Sequence, residues 1–180
     1  MMSDIRGFTA IGERYEPQQV VSLLNRYFGA MTDIILGEQG TIDEFLGDAI
    51  LAVFGAPKRR EDDADRSVRC AIAMQAAMAE VNRSNAAEGL PKLEMGIALN
   101  TGNVIAGNIG SKRRIKYGFV GHPVNVTSRI EDFAGPGEIL ISSTTLSKLK
   151  GDYRLGSRRD LDAKGFDEAL TVYPVEGLID

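Results

Sequence analysis

Hydrophobic and polar positions follow two different periods along the chain, and the switches between them mark its elements. From Pro17 onward, Val20, Val21, Leu24, Tyr27, Phe28, Met31, Ile34 and Ile35 form one stripe and Gly37 follows. The pattern predicts a helix from Pro17 to Gly37, with proline in its first turn and glycine at its end. Residues 41 to 54 change to short apolar runs broken by Leu46-Gly47-Asp48 and ended by Ala56-Pro57, which predicts a hairpin. The acidic run Glu61-Asp62-Asp63-Ala64-Asp65 leads into an Ala/Met/Ile-rich helical pattern through Val81. Acids in a first turn complement the helix dipole, so the run reads as a solvated helix start. A polar loop near Asn85, a strand over 93–99 and a second hairpin, 104–109 with 115–120 around Gly110-Ser111-Lys112, come next. A short helix from Pro123 to about Phe133, a strand at Ile139 to Ile141, a helical turn or two from Thr144 to Leu149, and a last hairpin between Tyr153 and Val175 complete the pattern. Hairpins exclude a purely parallel sheet, so the fold class is α+β, with a mixed, largely antiparallel sheet and flanking helices.

Composition narrows the partners. The 180 residues carry 21 Lys+Arg against 25 Asp+Glu, a net charge of -4, so no bulk field draws the chain to nucleic acid or to an anionic membrane. Any phosphate-binding site has to be local. The single cysteine, Cys70, lies in an apolar-periodic run beside Val68, Ala71 and Ile72, where a buried, inert thiol in a reducing, cytoplasmic compartment is expected. No run approaches the roughly 20 apolar residues of a membrane span. The segment itself is expected to be neither inserted nor exported, although a longer protein around it can be membrane-tethered. With no repeat or linker, residues 1–180 read as one domain. The charged segment from Asp4 to Thr9 has little strand before it, as expected of a domain excised from a longer, multidomain protein.

Two acidic residues stand out by position: Asp4 at the end of the first strand and Asp48 at the bend of the first hairpin. Each alone is equally a turn-former. As a pair on neighbouring strand ends they suit two hard divalent cations, Mg²⁺ or Mn²⁺, of the kind that clamp attacking and leaving oxygens in phosphoryl transfer. Gly7, Phe8 and Thr9, in a short polar turn beside Asp4, offer backbone N–H groups to phosphate. Asn125 and Arg129 lie four apart on the helix after Pro123 and share one face. They are either a plain surface pair or a neutral donor and a fixed cation aimed at a reacting phosphate. Lys164, in Ala163-Lys164-Gly165-Phe166, is a solvated lysine or a point charge for a triphosphate.

Three separated strings, in order, carry a resemblance. They are Ser3-Asp4-Ile5-Arg6-Gly7-Phe8-Thr9, the hairpin from Ile42 to Gly55 with Phe45-Leu46-Gly47-Asp48 at its bend, and Tyr117-Gly118-Phe119-Val120-Gly121-His122-Pro123-Val124-Asn125-Val126-Thr127-Ser128-Arg129. Together they resemble the catalytic domain of class III nucleotidyl cyclases over essentially the whole chain. The resemblance implies a ferredoxin-like or palm-like core. It also implies metal binding by Asp4, Asp48 and the Ile5 carbonyl, transition-state support from Asn125 and Arg129, and a triphosphate contact from Lys164. It further implies a head-to-tail homodimer with active sites at the interface, metal aspartates from one subunit and the Asn/Arg pair from the other, and regulatory domains in cis. His122, the only histidine, stands where the family has an acidic or small polar residue and reads as a structural substitution rather than a base.

The resemblance also picks out the positions that choose the base. Glu44 stands where guanylyl cyclases have glutamate and adenylyl cyclases lysine. Guanine presents donors at N1 and N2 that a carboxylate matches, whereas adenine presents a bare N1 acceptor that a carboxylate repels. Gly118 stands where many relatives carry a purine-reading side chain, and Lys116 is basic like the arginine of guanylyl cyclases; it is either a partner that orients Glu44 or an exposed strand lysine. These residues imply a guanylyl cyclase that binds GTP. The alternatives are an adenylyl or dual-specificity cyclase and a catalytically silent dimerisation module.

Overall fold

The computed structural model describes residues 1–162, 165 and 169–179. The chain starts with β1 (Met2–Ile5), α1 (Phe8–Arg14) and α2 (Pro17–Gly37), followed by the hairpin β2 (Thr41–Leu46) and β3 (Ala49–Val53). Then come α3 (Asp63–Ala87), β4 (Met95–Leu99), the hairpin β5 (Ile105–Ser111) and β6 (Arg114–Val120), and α4 (His122–Glu131). It ends with β7 (Ile139–Ser142), α5 (Ser143–Leu146), β8 (Tyr153–Leu155), β9 (Arg159–Leu161) and β10 (Leu170–Leu178).

Among the described residues the main sheet has eight strands, in the order β2-β3-β1-β4-β7-β10-β8, with β9 on β10. The first four strands and their two crossover helices form the split βαβ arrangement of a ferredoxin-like core. Every pairing is antiparallel except β4 with β7, which makes the sheet mixed. β4 and β7 are buried along their whole length. One face of the sheet is covered by α2 and α3, through Leu23, Tyr27, Met31 and Ile35 of the first and Val68, Ala71, Met74 and Met78 of the second. On the other face Ile130 of α4 and Ala134 pack against Ala98, Leu140 and Val172. Cys70 is fully buried beside Met74, and burial pushes its thiol up to about 12, so it is inert. Among the described residues no helix is long and apolar enough to cross a membrane.

Three elements differ from the sequence expectation. The turn at Gly7, Phe8 and Thr9 is in fact the start of α1, whose Phe8 and Ile11 pack against the core. The expected loop near Asn85 is the last turns of α3. Its polar residues are used inside the protein: Asn85 accepts from Arg26 at 2.6 Å, and Asn82 exchanges two hydrogen bonds with Leu93. The tail is three strands rather than one hairpin, because the long β10 serves as partner to β7, β8 and β9 in turn.

Candidate active site

The register of the sheet brings the two aspartates together. β1 pairs antiparallel with β3 through Met2↔Leu51 and Ser3↔Ile50, so the end of β1 runs alongside the turn that precedes β3. That turn is the two-residue loop Gly47-Asp48, closed by the pair Leu46↔Ala49, and Gly47 supplies the positive φ of 66° it needs. On β1, Ser3 and Ile5 point into the core, which leaves Asp4 on the more open face. The Ile5 amide donates to Asp48 Oδ2 at 3.2 Å.

The electrostatics of the pair are unfavourable as it stands. Burial first, then the Asp48 charge, raises Asp4 from 3.8 to about 6, with Asp132 adding to the effect and Arg6 opposing it. Burial also raises Asp48, against the opposing pull of backbone N–H groups including that of Ile5. Arg6 lies 3.9 Å from Asp4 and is also paired with Glu131 of α4, a side chain that is 7% exposed, so one cation is divided between two carboxylates. Two desolvated, mutually repelling carboxylates fit hard divalent cations, and no group of three or more His, Cys, Asp or Glu is assembled for a metal among the described residues. An all-oxygen donor set of this kind suits a hard divalent cation.

β6 runs through Gly121 into α4, whose first turn contains Pro123. Asn125 and Arg129 follow one helical turn apart, and Thr127 between them donates to the Pro123 carbonyl at 2.7 Å. Arg129 is half exposed and donates to Asp132 at 3.2 Å. His122 opens the same helix.

Glu44 and Lys116 meet across β2 and β6. Lys116 Nζ lies 2.7 Å from Glu44 Oε2, and this pairing raises the lysine pKa. A β-bulge in β2 sets the geometry: Ile42 pairs with Ala52 and Glu44 with Leu51, leaving Asp43 as the extra residue. Ile42 packs against the core and Phe45 lies 4.4 Å, centroid to centroid, from Phe28 of α2. The bulge breaks strict alternation, so that Asp43 and Glu44, although adjacent, both reach Lys116 of β6. Gly118 lies one strand period from Lys116 on the same strand.

The fold thus unites Asp4 with Asp48 beside Ile5, and Glu44 with Lys116 beside Gly118. Gly7 caps α1, and Phe8 and Thr9 lie in its first turn, where N–H groups have no intrahelical acceptor. Lys164 lies outside the described residues. Three further charged residues stand at these sites without a local sequence signal: Arg6, Glu131 and Asp43. Arg6 and Glu131 are distant in sequence, and Asp43 faces the site only because of the bulge.

A family model described as the adenylate and guanylate cyclase catalytic domain matches residues 1–177. The chain superposes on the guanylyl cyclase Cya2 with a TM-score of 0.96 and 47% identity, over 99% of this chain and 91% of that one. It superposes on the adenylyl cyclase CyaB from P. aeruginosa with a TM-score of 0.90 and 36% identity, over 99% and 91% respectively. Adenylate cyclase 1 of Rhizobium meliloti (strain 1021) is 32% identical over 183 residues, covering 99% of this chain and 27% of that protein. The chain therefore spans only about a quarter of that relative's length.

Proposed function

The chain belongs to the adenylate and guanylate cyclase catalytic-domain family, and from that premise we propose that it is a guanylyl cyclase converting GTP to 3′,5′-cyclic GMP and pyrophosphate. The observation that carries the choice of base is Glu44, whose carboxylate is held by Lys116 at 2.7 Å. One oxygen of a carboxylate engaged by a lysine leaves lone pairs for two further donors, and guanine N1–H and N2–H₂ supply them. Adenine offers that carboxylate an acceptor at N1, which is repelled.

The chemistry is an in-line displacement. The 3′ oxygen bonds to the α-phosphorus as the bond from that phosphorus to the bridging oxygen of the β-phosphate breaks, the hydroxyl proton passes to water, and pyrophosphate leaves with the electrons of the broken bond. Asp4, Asp48 and the Ile5 carbonyl would hold divalent cations, which would supply Lewis-acid polarisation of the hydroxyl and phosphate oxygens. Arg129 presents a planar, permanently charged fork to the charge that builds on the phosphate oxygens, and Asn125 adds a neutral donor on the same helix face. The N–H groups of Gly7, Phe8 and Thr9, together with Lys164, bind the β- and γ-phosphate oxygens that leave as pyrophosphate.

Arg129 and the aspartates act in one site when two copies associate head to tail. The β5–β6 hairpin supports this reading. It forms a separate two-stranded sheet and exposes Ile105 and its pair Val120 on one face and Ile115 and Tyr117 on the other, apolar side chains suited to a second copy. A nucleoside triphosphate substrate and a buried free thiol fit a cytoplasmic catalytic domain with regulatory domains in cis. The test is to incubate the protein with GTP or ATP, each with Mg²⁺ or Mn²⁺, and identify the products. Cyclic GMP with pyrophosphate, formed in clear preference to cyclic AMP, is the expected result. Preferential cyclic AMP overturns the assignment of the base, and no turnover with either metal leaves a silent dimerisation module.

A further inference from the structure

We propose that Asp43 is a positioning residue for base selection, a fixed carboxylate that anchors Lys116 so that Lys116 holds Glu44, and that glycine at position 118 is required for this clamp. The inference rests on the reading of Glu44 as the base-recognising residue.

Four observations converge. The bulge in β2 turns Asp43 to the same side as Glu44. The Asp43 side chain is only 4% exposed, and its Oδ1 lies 3.7 Å from Lys116 Nζ. That oxygen is buried without a hydrogen bond, so the lysine is its charge partner. A Cβ at position 118 would stand 2.9 Å from Lys116 Cε and 3.2 Å from Asp43 Oδ1. The space that a side chain would fill is therefore the path by which the Lys116 stem reaches both carboxylates.

The geometry matters because the Glu44–Lys116 pair is open to water, at 44% and 42% exposure. An exposed ion pair between two long side chains is weak and does not fix either one. Asp43 has a short stem, is buried, and does not move with solvent. With Asp43 in place the lysine sits between two carboxylates, and the trio keeps one net negative charge facing a donor-bearing base edge. Without it the lysine neutralises Glu44 and the pair frays. Glycine at 118 is then a component of base recognition rather than the loss of a reading side chain.

The experiment measures kcat and KM for GTP and for ATP in wild type, Asp43→Asn, Gly118→Ala, Glu44→Gln and the double variant Asp43→Asn/Glu44→Gln, with a melting curve for each. Asp43→Asn is close to isosteric, and Gly118→Ala breaks the clamp by a separate route. Each is expected to raise the GTP KM about tenfold and to lower GTP-over-ATP preference by a similar factor, with kcat for GTP within about twofold. Because Asp43 acts through Glu44, the double variant should be no more impaired than Glu44→Gln alone. A wild-type GTP KM and preference in Asp43→Asn, or additive losses in the double variant, overturn the proposal. If Glu44→Gln itself leaves the preference unchanged, the reading of Glu44 fails and this proposal with it. If Glu44→Gln shifts the preference and Asp43→Asn does not, only the role of Asp43 is refuted.

Discussion

Replacing Asp4 by asparagine should make the metal-free protein more stable while abolishing its activity. Asp4 is raised from 3.8 to about 6 because its charged form is desolvated and faces Asp48. A folded-state carboxylate pKa above its unfolded value favours folding only while the group is protonated. The contribution is complete below pH 4 and is lost as pH rises through 6, so at pH 7.5 the ionised Asp4 gives no stabilisation. A shift of roughly two units corresponds to ~3 kcal/mol of differential interaction. The side chain is 31% exposed and close to bulk water, so screening reduces this to ~1 kcal/mol. Asparagine keeps the shape and removes the charge, and ~1 kcal/mol is a rise of about 2–4 °C in Tm for a chain of this size. The assay is thermal unfolding at pH 7.5 in chelator and again in millimolar Mn²⁺. Wild type should gain stability from the cation by mass action, whereas Asp4→Asn should start higher and gain little. At pH 4 in chelator the two proteins should melt together. A variant that melts lower than wild type without metal at pH 7.5, or that keeps the full Mn²⁺-dependent gain, would refute the reasoning.

Glu44→Lys should cripple GTP turnover and admit some ATP, because the ammonium satisfies adenine N1 and repels the guanine donors; unchanged GTP preference would remove Glu44 from base selection. Asp48→Ala and Arg129→Ala, each inactive alone, should recover activity when mixed, since one of the two hybrid sites keeps both groups; silence from the mixture argues against shared sites. Glu131→Ala leaves the Arg6 cation, 22% exposed, without its buried partner, a loss of ~3 kcal/mol that a melting curve should show as a fall in Tm of roughly 10 °C. A fall of under ~2 °C would mean that water or Asp4 already compensates Arg6.

Local signals were legible in the sequence where an element carries its own instructions. α2 is an example: Pro17 starts it, Glu16 and Gln19 cap each other, and Tyr27, Met31 and Ile35 of the expected stripe are buried, although Leu23 rather than the exposed Val21 completes the buried face. The β2–β3 hairpin was legible for the same reason, with its turn residues adjacent. Elements whose boundaries are set by tertiary contact were not. α3 continues past Val81 because Asn82 and Asn85 find partners on Leu93 and Arg26, and polar residues before they are paired look like a loop. The candidate site shows the same division. Asp4, Asp48, Glu44, Asn125 and Arg129 stand in strings that can be read locally. Asp43 cannot be read that way, since strict strand alternation places it opposite Glu44 and only the bulge between Ile42 and Glu44 reverses it.

The hairpin that carries Glu44 on β2 and Asp48 in its turn joins two chemically different ends. Glu44 faces Lys116 on β6, which runs through Gly121 straight into α4 with Asn125 and Arg129. Asp48 faces β1 and Asp4. On the proposed assignment, one copy carries the base-reading carboxylate facing β6, the phosphate-directed Asn125 and Arg129 on the β6–α4 path, and the cation-binding pair Asp4 and Asp48 at the end of β1. In a head-to-tail pair the cation end of each copy completes the base end of the other, so Glu44 and Asp48 of one chain serve different sites although they are four residues apart. This separation predicts an asymmetry in subunit mixing. A Glu44→Lys protein mixed with Asp48→Ala should regain GTP turnover, because one hybrid site takes intact aspartates from the first and an intact Glu44 and Arg129 from the second. The same Glu44→Lys protein mixed with Arg129→Ala should stay inactive, because each hybrid site receives one damaged base-and-phosphate end. Cyclic GMP formation measured across mixing ratios distinguishes the two cases. Recovery in the second mixture would show that Glu44 and Arg129 do not belong to the same half-site and would break the continuity drawn from β6 to α4.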